Sequence, residues 1–295
     1  MGCATPDIGK DSTPSRARET STGRLLLLAI LGMLVACGTK AVPPVVGAGE
    51  LRAPDGTAPP EGELGRSIRR GHALLVATRD SLPEHVGNAL RCTSCHLDDG
   101  RRPGSIPFTG VYARFPQYRS RVAAVQRLED RINDCFERSM NGRALAFDDP
   151  AMRDMLAYFA FVSRGIAVGD SVAGQGVTLG TALTGDTVAG AAYFVTACAR
   201  CHGPSGDGTA IAPPLWGPRS FNIGAGMARL RTLTGFIHAS MPFDGPGTTS
   251  EADAVNVAAY IAAQSRPDFP GKERDWPKGD APKDVPYQTL AKQQK

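Results

Sequence analysis

Residues 92–96 read Cys-Thr-Ser-Cys-His, and residues 198–202 repeat the pattern as Cys-Ala-Arg-Cys-His. In a Cys-x-x-Cys-His string both thiols form thioether bonds to a haem c, and the histidine becomes an axial ligand of its iron. One such string also occurs in redox or zinc sites, but two copies in a chain with a secretion signal leave little room for that alternative. The sequence therefore predicts two covalently bound haem c groups, held by Cys92, Cys95 and His96, and by Cys198, Cys201 and His202.

The N-terminal residues have the composition of a secretion signal. A polar, arginine-containing stretch precedes an unbroken apolar run, Leu25–Val35, which is too short to span a bilayer as a stable helix. The run ends in Leu34-Val35-Ala36-Cys37, which resembles the lipobox of bacterial lipoproteins. We expect a lipoprotein signal peptide over residues 1–36 and a lipid anchor at Cys37, which would tether the protein to a membrane in the periplasm. The alternative is a soluble periplasmic protein with an incidental cysteine here.

The charge of the chain argues against a nucleic-acid partner. The formal net charge is +4, the basic residues are dispersed, and no aromatic stacking platform accompanies them. A mildly basic protein of this kind is compatible with small anionic substrates or with acidic redox partners.

An internal repeat organises the rest of the chain. Two segments each contain a helical lead-in, a haem string, a loop rich in Gly and Pro, and a closing helix. The closing helices carry apolar residues at i, i+3, i+4 and i+7, namely Met152, Met155, Leu156 and Phe159 in the first and Ala254, Val257, Ala258 and Ile261 in the second. The predicted organisation is a flexible tether at 37–62, a domain at 63–168, a linker at 169–185, a domain at 186–268 and a C-terminal tail at 269–295.

The two segments resemble class I c-type cytochromes, in which a few helices wrap one haem and a methionine usually faces the histidine ligand. This resemblance implies an all-α fold of two tandem domains, each wrapping one covalent haem c. In the second domain Met241, which precedes a proline, lies 39 positions after His202 (241 less 202). The same distance after His96 leads to Cys135 (135 less 96). We therefore predict Met241 and Cys135 as the distal iron ligands.

Other ligands stay open in both domains. Met140 would reach the first iron if the loop shifted by about one helical turn, whereas Met152 and Met155 are expected in the core. Met227, in a Gly-rich loop, competes with Met241. Bis-histidine ligation is also conceivable, although no candidate lies at the repeat-equivalent position: His72, His85 and His238.

Cys135 is the one cysteine left after the signal peptide, the anchor and the haem strings are counted. An unpaired thiol in an oxidising compartment needs a chemical reason. Arg131 lies one helical turn away, and a nearby guanidinium favours the thiolate, which is the form that binds iron and attacks sulfur.

A helix over residues 122–139 would place these groups along one edge. Its predicted buried stripe is Val125, Leu128 and Ile132, and the edge beside it carries Arg131, Cys135 and Ser139. Arg127 and Arg138 are expected to pair with acidic neighbours on the solvated face. The residues that we assign to an anion pocket are Arg119, Arg121 and Arg131, because a guanidinium offers a planar fork of donors to sulfonate-like oxygens.

Several short strings together resemble the thiosulfate dehydrogenases, a family of dihaem c-type cytochromes that couple two thiosulfates into tetrathionate. In the first domain they are GNALRC (87–92), HLD (96–98), PQYRS (116–120), LEDRI (128–132), CF (135–136) and SMNG (139–142). In the second they are PPLWG (213–217), SFN (220–222) and GAGM (224–227). Some family members carry Lys beside the second methionine ligand and exchange ligands on reduction, whereas this chain has Ser240 there.

The resemblance implies that Cys135 is both the distal ligand of the first haem and the catalytic sulfur, with electrons leaving by the second haem to an external c-type cytochrome or a similar carrier. The predicted catalytic residues are Cys135, Arg119, Arg121, Arg131 and Ser139. Three alternatives use the same motifs. They are a tetrathionate reductase, a sulfur-carrier haem subunit that needs a partner's thiol, and a plain dihaem electron carrier.

Overall fold

The computed structural model describes residues 45–46 and 58–293, so the predicted signal peptide, Cys37 and most of the tether lie outside the described residues. The helices are α1 (Gly62–Val76), α2 (Thr78–Ser81), α3 (Leu97–Gly100), α4 (Leu128–Arg138), α5 (Pro150–Val162), α6 (Thr187–Tyr193), α7 (Ala199–His202), α8 (Leu230–Ser240), α9 (Glu251–Ala262) and α10 (Leu290–Gln293). The strands are β1 (Val45–Val46), β2 (Gln117–Arg119), β3 (Ala124–Gln126) and β4 (Ser171–Val172).

The architecture is predominantly helical, as the sequence predicts. Within the described ranges the strands form two small sheets, β1 parallel to β4 and β2 antiparallel to β3. No helix of these ranges is long and apolar enough to cross a membrane.

The first predicted domain is built on the crossing of α1 and α5. Asp149 caps α5 by accepting the backbone N–H of Ala151, and Pro150 opens its first turn. At the crossing Gly71 lies against the carbonyl group of Asp154, where an added Cβ would collide with the oxygen. The buried stripe of α1 is Gly65, Ile68, Gly71 and Leu75.

The second predicted domain repeats this crossing with α6 and α9. Ser250 caps α9 through the N–H of Asp253, and Gly190 lies against the carbonyl group of Asn256. The apolar stripes predicted for the two closing helices are confirmed at seven buried residues. They are Met152, Met155 and Phe159 in α5, and Ala254, Val257, Ala258 and Ile261 in α9.

Residues 117–126 form a hairpin, and the predicted helix over residues 122–139 is wrong in its first part. Tyr118 pairs with Val125 across the hairpin, and Val125 is 68% exposed rather than buried. Helix α4 begins only at Leu128, because the Asp130 carboxylate accepts the backbone N–H of Arg127 and fixes the start. Arg121 consequently lies in the turn between β2 and β3 and not on the helix.

Polar contacts join the two predicted domains. The side-chain amide of Asn88 donates to the carbonyl groups of Ser139 at 2.9 Å and Ser220 at 3.0 Å. The hydroxyl groups of Ser105 and Ser240 lie 2.6 Å apart, and both residues are fully buried. The loop that follows the first haem string therefore packs directly on the residue that precedes Met241.

The segment predicted as a C-terminal tail is folded onto the first predicted domain. A 3₁₀ turn spans Lys272–Arg274, and the aromatic residues Trp276 and Tyr287 are buried behind it. This part of the chain therefore contributes to the packing around α4.

Gly71→Ala tests the close helix crossing. Alanine favours an isolated helix by about 1 kcal/mol over glycine, but here its Cβ would overlap the Asp154 carbonyl. We expect the free energy of unfolding to fall by about 1–3 kcal/mol, the usual cost of overpacking. Denaturant unfolding followed by circular dichroism measures it.

Gly176→Ala is the matched control, because no atom lies within 4 Å of the added Cβ. Equal stability of the two variants would contradict the steric account of Gly71.

Candidate functional site

The two predicted histidine ligands are held in the same way. The Nδ1 atom of His96 bonds to the carbonyl group of Ile106, and that of His202 bonds to the carbonyl group of Pro213 at 2.8 Å. Burial lowers the pKa of His96 to about 4 and also lowers the pKa of His202. A neutral imidazole that donates from Nδ1 presents the lone pair of Nε2, which is the arrangement of an iron-ligating histidine.

The cysteines of the haem strings are available for thioether bonds. Among the described residues neither pair forms a disulfide. Burial raises the pKa of the Cys92 and Cys95 thiols to about 12 and that of Cys198 to about 11. The hydroxyl of Thr78 also donates to Cys92 Sγ at 3.3 Å, which fixes the first thiol beside α2.

Besides Arg138, whose Nε also lacks a hydrogen-bond acceptor, three half-buried arginines carry a buried N–H group without an acceptor in the described part of the chain. They are Arg102 at Nη1, Arg229 at Nε and Arg266 at Nη1. An unmatched buried charged donor is costly, and a carboxylate is its usual partner. The propionate groups of haem c would supply such carboxylates, so these residues fit the predicted cofactor.

Cys135 and Arg131 meet in α4, one turn apart. Arg131 donates from Nη1 to Cys135 Sγ at 2.8 Å. The charge of the Cys135 sulfur raises the pKa of Arg131, while burial acts in the opposite direction. A charged donor at this distance stabilises negative charge on the sulfur.

This pair lies at the first haem string. Burial is the main cause of the raised pKa of Cys92 and of Cys95, and the charge at Cys135 raises both further. The charge of Arg131 in turn contributes to the lowered pKa of His96. The structure thus brings Cys135, Arg131 and the first haem string together.

The other predicted site residues differ in their surroundings. The side chain of Arg119, on β2, has no hydrogen-bond or ion-pair partner within the described ranges, and the pKa of Arg119 is lowered by burial and then by the charge of Arg131. Arg121 donates from Nη1 to the carbonyl group of Gly224 at 2.6 Å, and burial lowers its pKa to about 10. The hydroxyl of Ser139 makes no hydrogen bond in the described part of the chain, and the Ser139 carbonyl group accepts from the side-chain amide of Asn88 at 2.9 Å.

Met241 follows the last residue of α8. Its carbonyl group accepts from the Thr249 hydroxyl at 2.8 Å, and Tyr193 contacts the same hydroxyl at 3.1 Å. Met227 lies buried in the 3₁₀ turn Gly226–Ala228. The Met241 loop is therefore tied to α6, the helix that leads into the second haem string.

The rival ligands named in the sequence analysis have the following surroundings in the structure. Met140, Met152 and Met155 are buried in the hydrophobic core. His72 contacts the Asp99 carboxylate at 3.0 Å. The remaining two histidines bond to carbonyl groups, His85 to Arg143 and His238 to Thr249.

Sequence reasoning missed a buried ionic cluster behind the site. Arg138 was expected on the solvated face but is 8% exposed, and it donates twice to the Asp275 carboxylate, at 2.7 and 2.8 Å. The Tyr287 hydroxyl donates to the same carboxylate at 2.6 Å. The available signal was the pair of aromatic residues, Trp276 and Tyr287, in a segment otherwise resembling a tail.

Comparisons with known proteins identify the family to which the chain is similar. Residues 84–168 match the family model "SoxA/TsdA, cytochrome c domain", and residues 185–261 match "Cytochrome C oxidase, cbb3-type, subunit III". The chain is 46% identical to the thiosulfate dehydrogenase of Allochromatium vinosum, over 77% of this chain and 87% of that protein. It is 39% identical to that of Psychrobacter arcticus, over 80% of this chain and 74% of the relative.

A solved structure is also similar. It is thiosulfate dehydrogenase (TsdBA) from Marichromatium purpuratum in its as-isolated form, with a TM-score of 0.71 and 35% identity over 75% of this chain. The present chain spans about half the length of that chain, 50%.

The two attachment strings generate a direct prediction. Replacing Cys198 and Cys201 by alanine should reduce the covalently bound haem from two groups to one, because the first string is unchanged. Intact mass and haem staining of the denatured protein measure this. Cys135→Ala is the control and should keep two attached haems, so loss of a haem in that variant would assign Cys135 to attachment.

Proposed function

The chain belongs to the thiosulfate dehydrogenase family of c-type cytochromes, and on this premise we propose that it joins two thiosulfate ions into tetrathionate at Cys135. It is a thiosulfate-oxidising enzyme that carries two covalently bound haem c groups. The observation that carries the proposal is the 2.8 Å contact between Arg131 and the Cys135 sulfur.

Each haem c, when bound, accepts one electron. The residues that would hold the first iron are His96 and Cys135, and those for the second are His202 and Met241. The neutral, carbonyl-bound state of both histidines supports this assignment.

Cys135 supplies the sulfur that receives the substrate. Its thiolate forms a bond to the terminal sulfur of one thiosulfate, giving Cys–S–S–SO₃⁻ and releasing two electrons. The terminal sulfur of a second thiosulfate then attacks that bound sulfur, the bond to Cys135 breaks, and tetrathionate leaves with the thiolate restored. Arg131 places a charged donor 2.8 Å from this sulfur, where it would stabilise the thiolate that attacks and the thiolate that leaves.

Cationic groups offset the charge of the substrates. Two dianions in one site repel each other by several kcal/mol unless positive charges compensate. Arg119 and Arg131 repel each other in the free protein, and Arg119 lacks a partner among the described residues, so an anion would relieve both. Arg121 extends the same positive surface from the hairpin turn.

The second domain provides the exit for electrons, to an external c-type cytochrome or a similar carrier. Two contacts support this electron exit. The Thr249 hydroxyl fixes the Met241 loop, and the Ser105–Ser240 contact joins that loop to the first haem-binding loop. The same balanced steps in reverse describe a tetrathionate reductase, which uses identical residues.

We assign the protein to the periplasm, tethered by a lipid on Cys37. The lipobox-like string at residues 34–37 supports this, and Cys-x-x-Cys-His strings are matured outside the cytoplasm. Cys37→Ser should move the protein from the membrane fraction to the soluble fraction or block its processing. An unmodified mature N-terminus in the native protein, found by mass spectrometry, would overturn the anchor.

Arg131→Gln tests the charge beside the catalytic sulfur. Gln keeps much of the side chain's length but removes the charge, so kcat/KM for thiosulfate should fall by about 10²–10³-fold, as on loss of one preorganised donor. The control is Arg127→Gln in the same region, because the exposed Arg127 side chain contacts only Asp130 and Phe147 among the residues that the structure describes. Equal kcat/KM values for the two variants would show that Arg131 has no part in thiosulfate oxidation.

The whole proposal is tested with purified holoprotein, thiosulfate and ferricyanide as acceptor. We expect haem reduction by thiosulfate alone and one tetrathionate per two electrons delivered. Cys135→Gly should retain both haems but lose this turnover. Reduction that requires a separate carrier protein with a thiol would instead support the sulfur-carrier alternative.

A further inference from the structure

A C-terminal strap, residues 269–289, leaves the second domain after α9 and crosses to the first. It contacts the hairpin β2–β3 and the end of α4, which are the two elements that carry the site arginines. In its middle lie Asp275 and Trp276, which are 5% and 3% exposed.

Trp276 holds Arg121 from two sides. The guanidinium carbon of Arg121 lies 4.6 Å from the centre of a Trp276 ring, within the range of a cation–π contact. The backbone N–H of Trp276 also donates to the Arg121 carbonyl at 2.8 Å. With the bond from Arg121 to the Gly224 carbonyl, these contacts fix both the backbone and the side chain of a residue in a hairpin turn.

Asp275 supplies the negative charge behind this arrangement. Its carboxylate accepts two hydrogen bonds from Arg138 and one from the Tyr287 hydroxyl. Arg121 Nε lies 4.0 Å from the same carboxylate. The buried Asp275 carboxylate is therefore shared by two arginines. Arg138 bonds to it through both Nη atoms, although its Nε lacks a hydrogen-bond partner in the described part of the chain, and Arg121 lies at a greater distance.

The backbone at Trp276 is unusual. Its φ angle of 53° lies in the left-handed region, where the Cβ of an L residue crowds the following carbonyl. Such a conformation persists only where surrounding contacts impose it. Here it turns the indole ring under Arg121 while the neighbouring carboxylate faces Arg138.

We propose that the C-terminal strap is part of the substrate site, with Trp276 and Asp275 as positioning residues that fix the guanidinium of Arg121 for anion binding. This inference rests on the proposed function. A free arginine in a hairpin turn would lose side-chain freedom on binding an anion, whereas an arginine already held by the strap does not. The strap therefore acts on thiosulfate affinity more than on the chemical step.

Trp276→Leu removes the aromatic face. We expect KM for thiosulfate to rise about tenfold with kcat within about twofold, because preorganisation is lost while Cys135 and Arg131 are unchanged. Trp276→Phe keeps an aromatic face and should restore most of the affinity. Lys272→Gln is the control within the strap and should leave KM unchanged, since the Lys272 side chain pairs with Asp268 and with no other group among the described residues.

The decisive measurement is a double-mutant cycle. In an Arg121→Gln background Trp276→Leu should have no further effect on KM, because the group it positions is absent. If Trp276→Leu does not assemble with two haems, Tyr287→Phe replaces it in the cycle, since that variant loses only one hydrogen bond to Asp275. Tyr287→Phe should raise KM about threefold in the protein that retains Arg121 and have no effect on KM in the Arg121→Gln protein.

Two results overturn the inference. If the wild-type protein oxidises thiosulfate and Trp276→Leu has the same KM, the strap has only a structural role. Additive effects of Trp276→Leu and Arg121→Gln would show that Trp276 does not act through Arg121. A wild type that does not oxidise thiosulfate would instead overturn the proposed function itself.

Discussion

The site depends on one charged contact, the hydrogen bond from Arg131 to the Cys135 sulfur. Arg131 is half-buried, and a guanidinium that is partly removed from water is stabilised by an acceptor. That acceptor is the Cys135 sulfur, so the same contact pairs the arginine and places a charged donor at the sulfur. Helix α4 makes this possible because it spaces the two side chains by one turn.

The rest of the fold places this helix. Thr78, at the start of α2, bonds to the sulfur and the backbone N–H of Cys92 in the first haem string, and the capping box at Arg127 and Asp130 fixes where α4 begins. From the other end of α4, Arg138 anchors the strap through Asp275. Substrate arginines on the hairpin and the helix are consequently held by parts of the chain far apart in sequence, including residues beyond the second domain.

The features that the sequence predicts are those encoded by short spacings. The two attachment strings and the apolar periodicity of the closing helices each need only local residues. The hairpin at residues 117–126 was missed because its exposed valines also fit a helical stripe, and only the cap at Arg127 decides between them. The Arg138–Asp275 pair was missed because 137 positions separate its members, and no local pattern reports such a contact.

The central claim is that Cys135 forms a covalent bond to the terminal sulfur of thiosulfate. Mass spectrometry of the oxidised holoprotein after brief exposure to thiosulfate tests it most directly. We predict that the peptide containing Cys135 gains one S₂O₃ unit, that reductant removes it, and that a second portion of thiosulfate releases it as tetrathionate. Steady turnover with Cys135 unmodified at every time point would contradict the account.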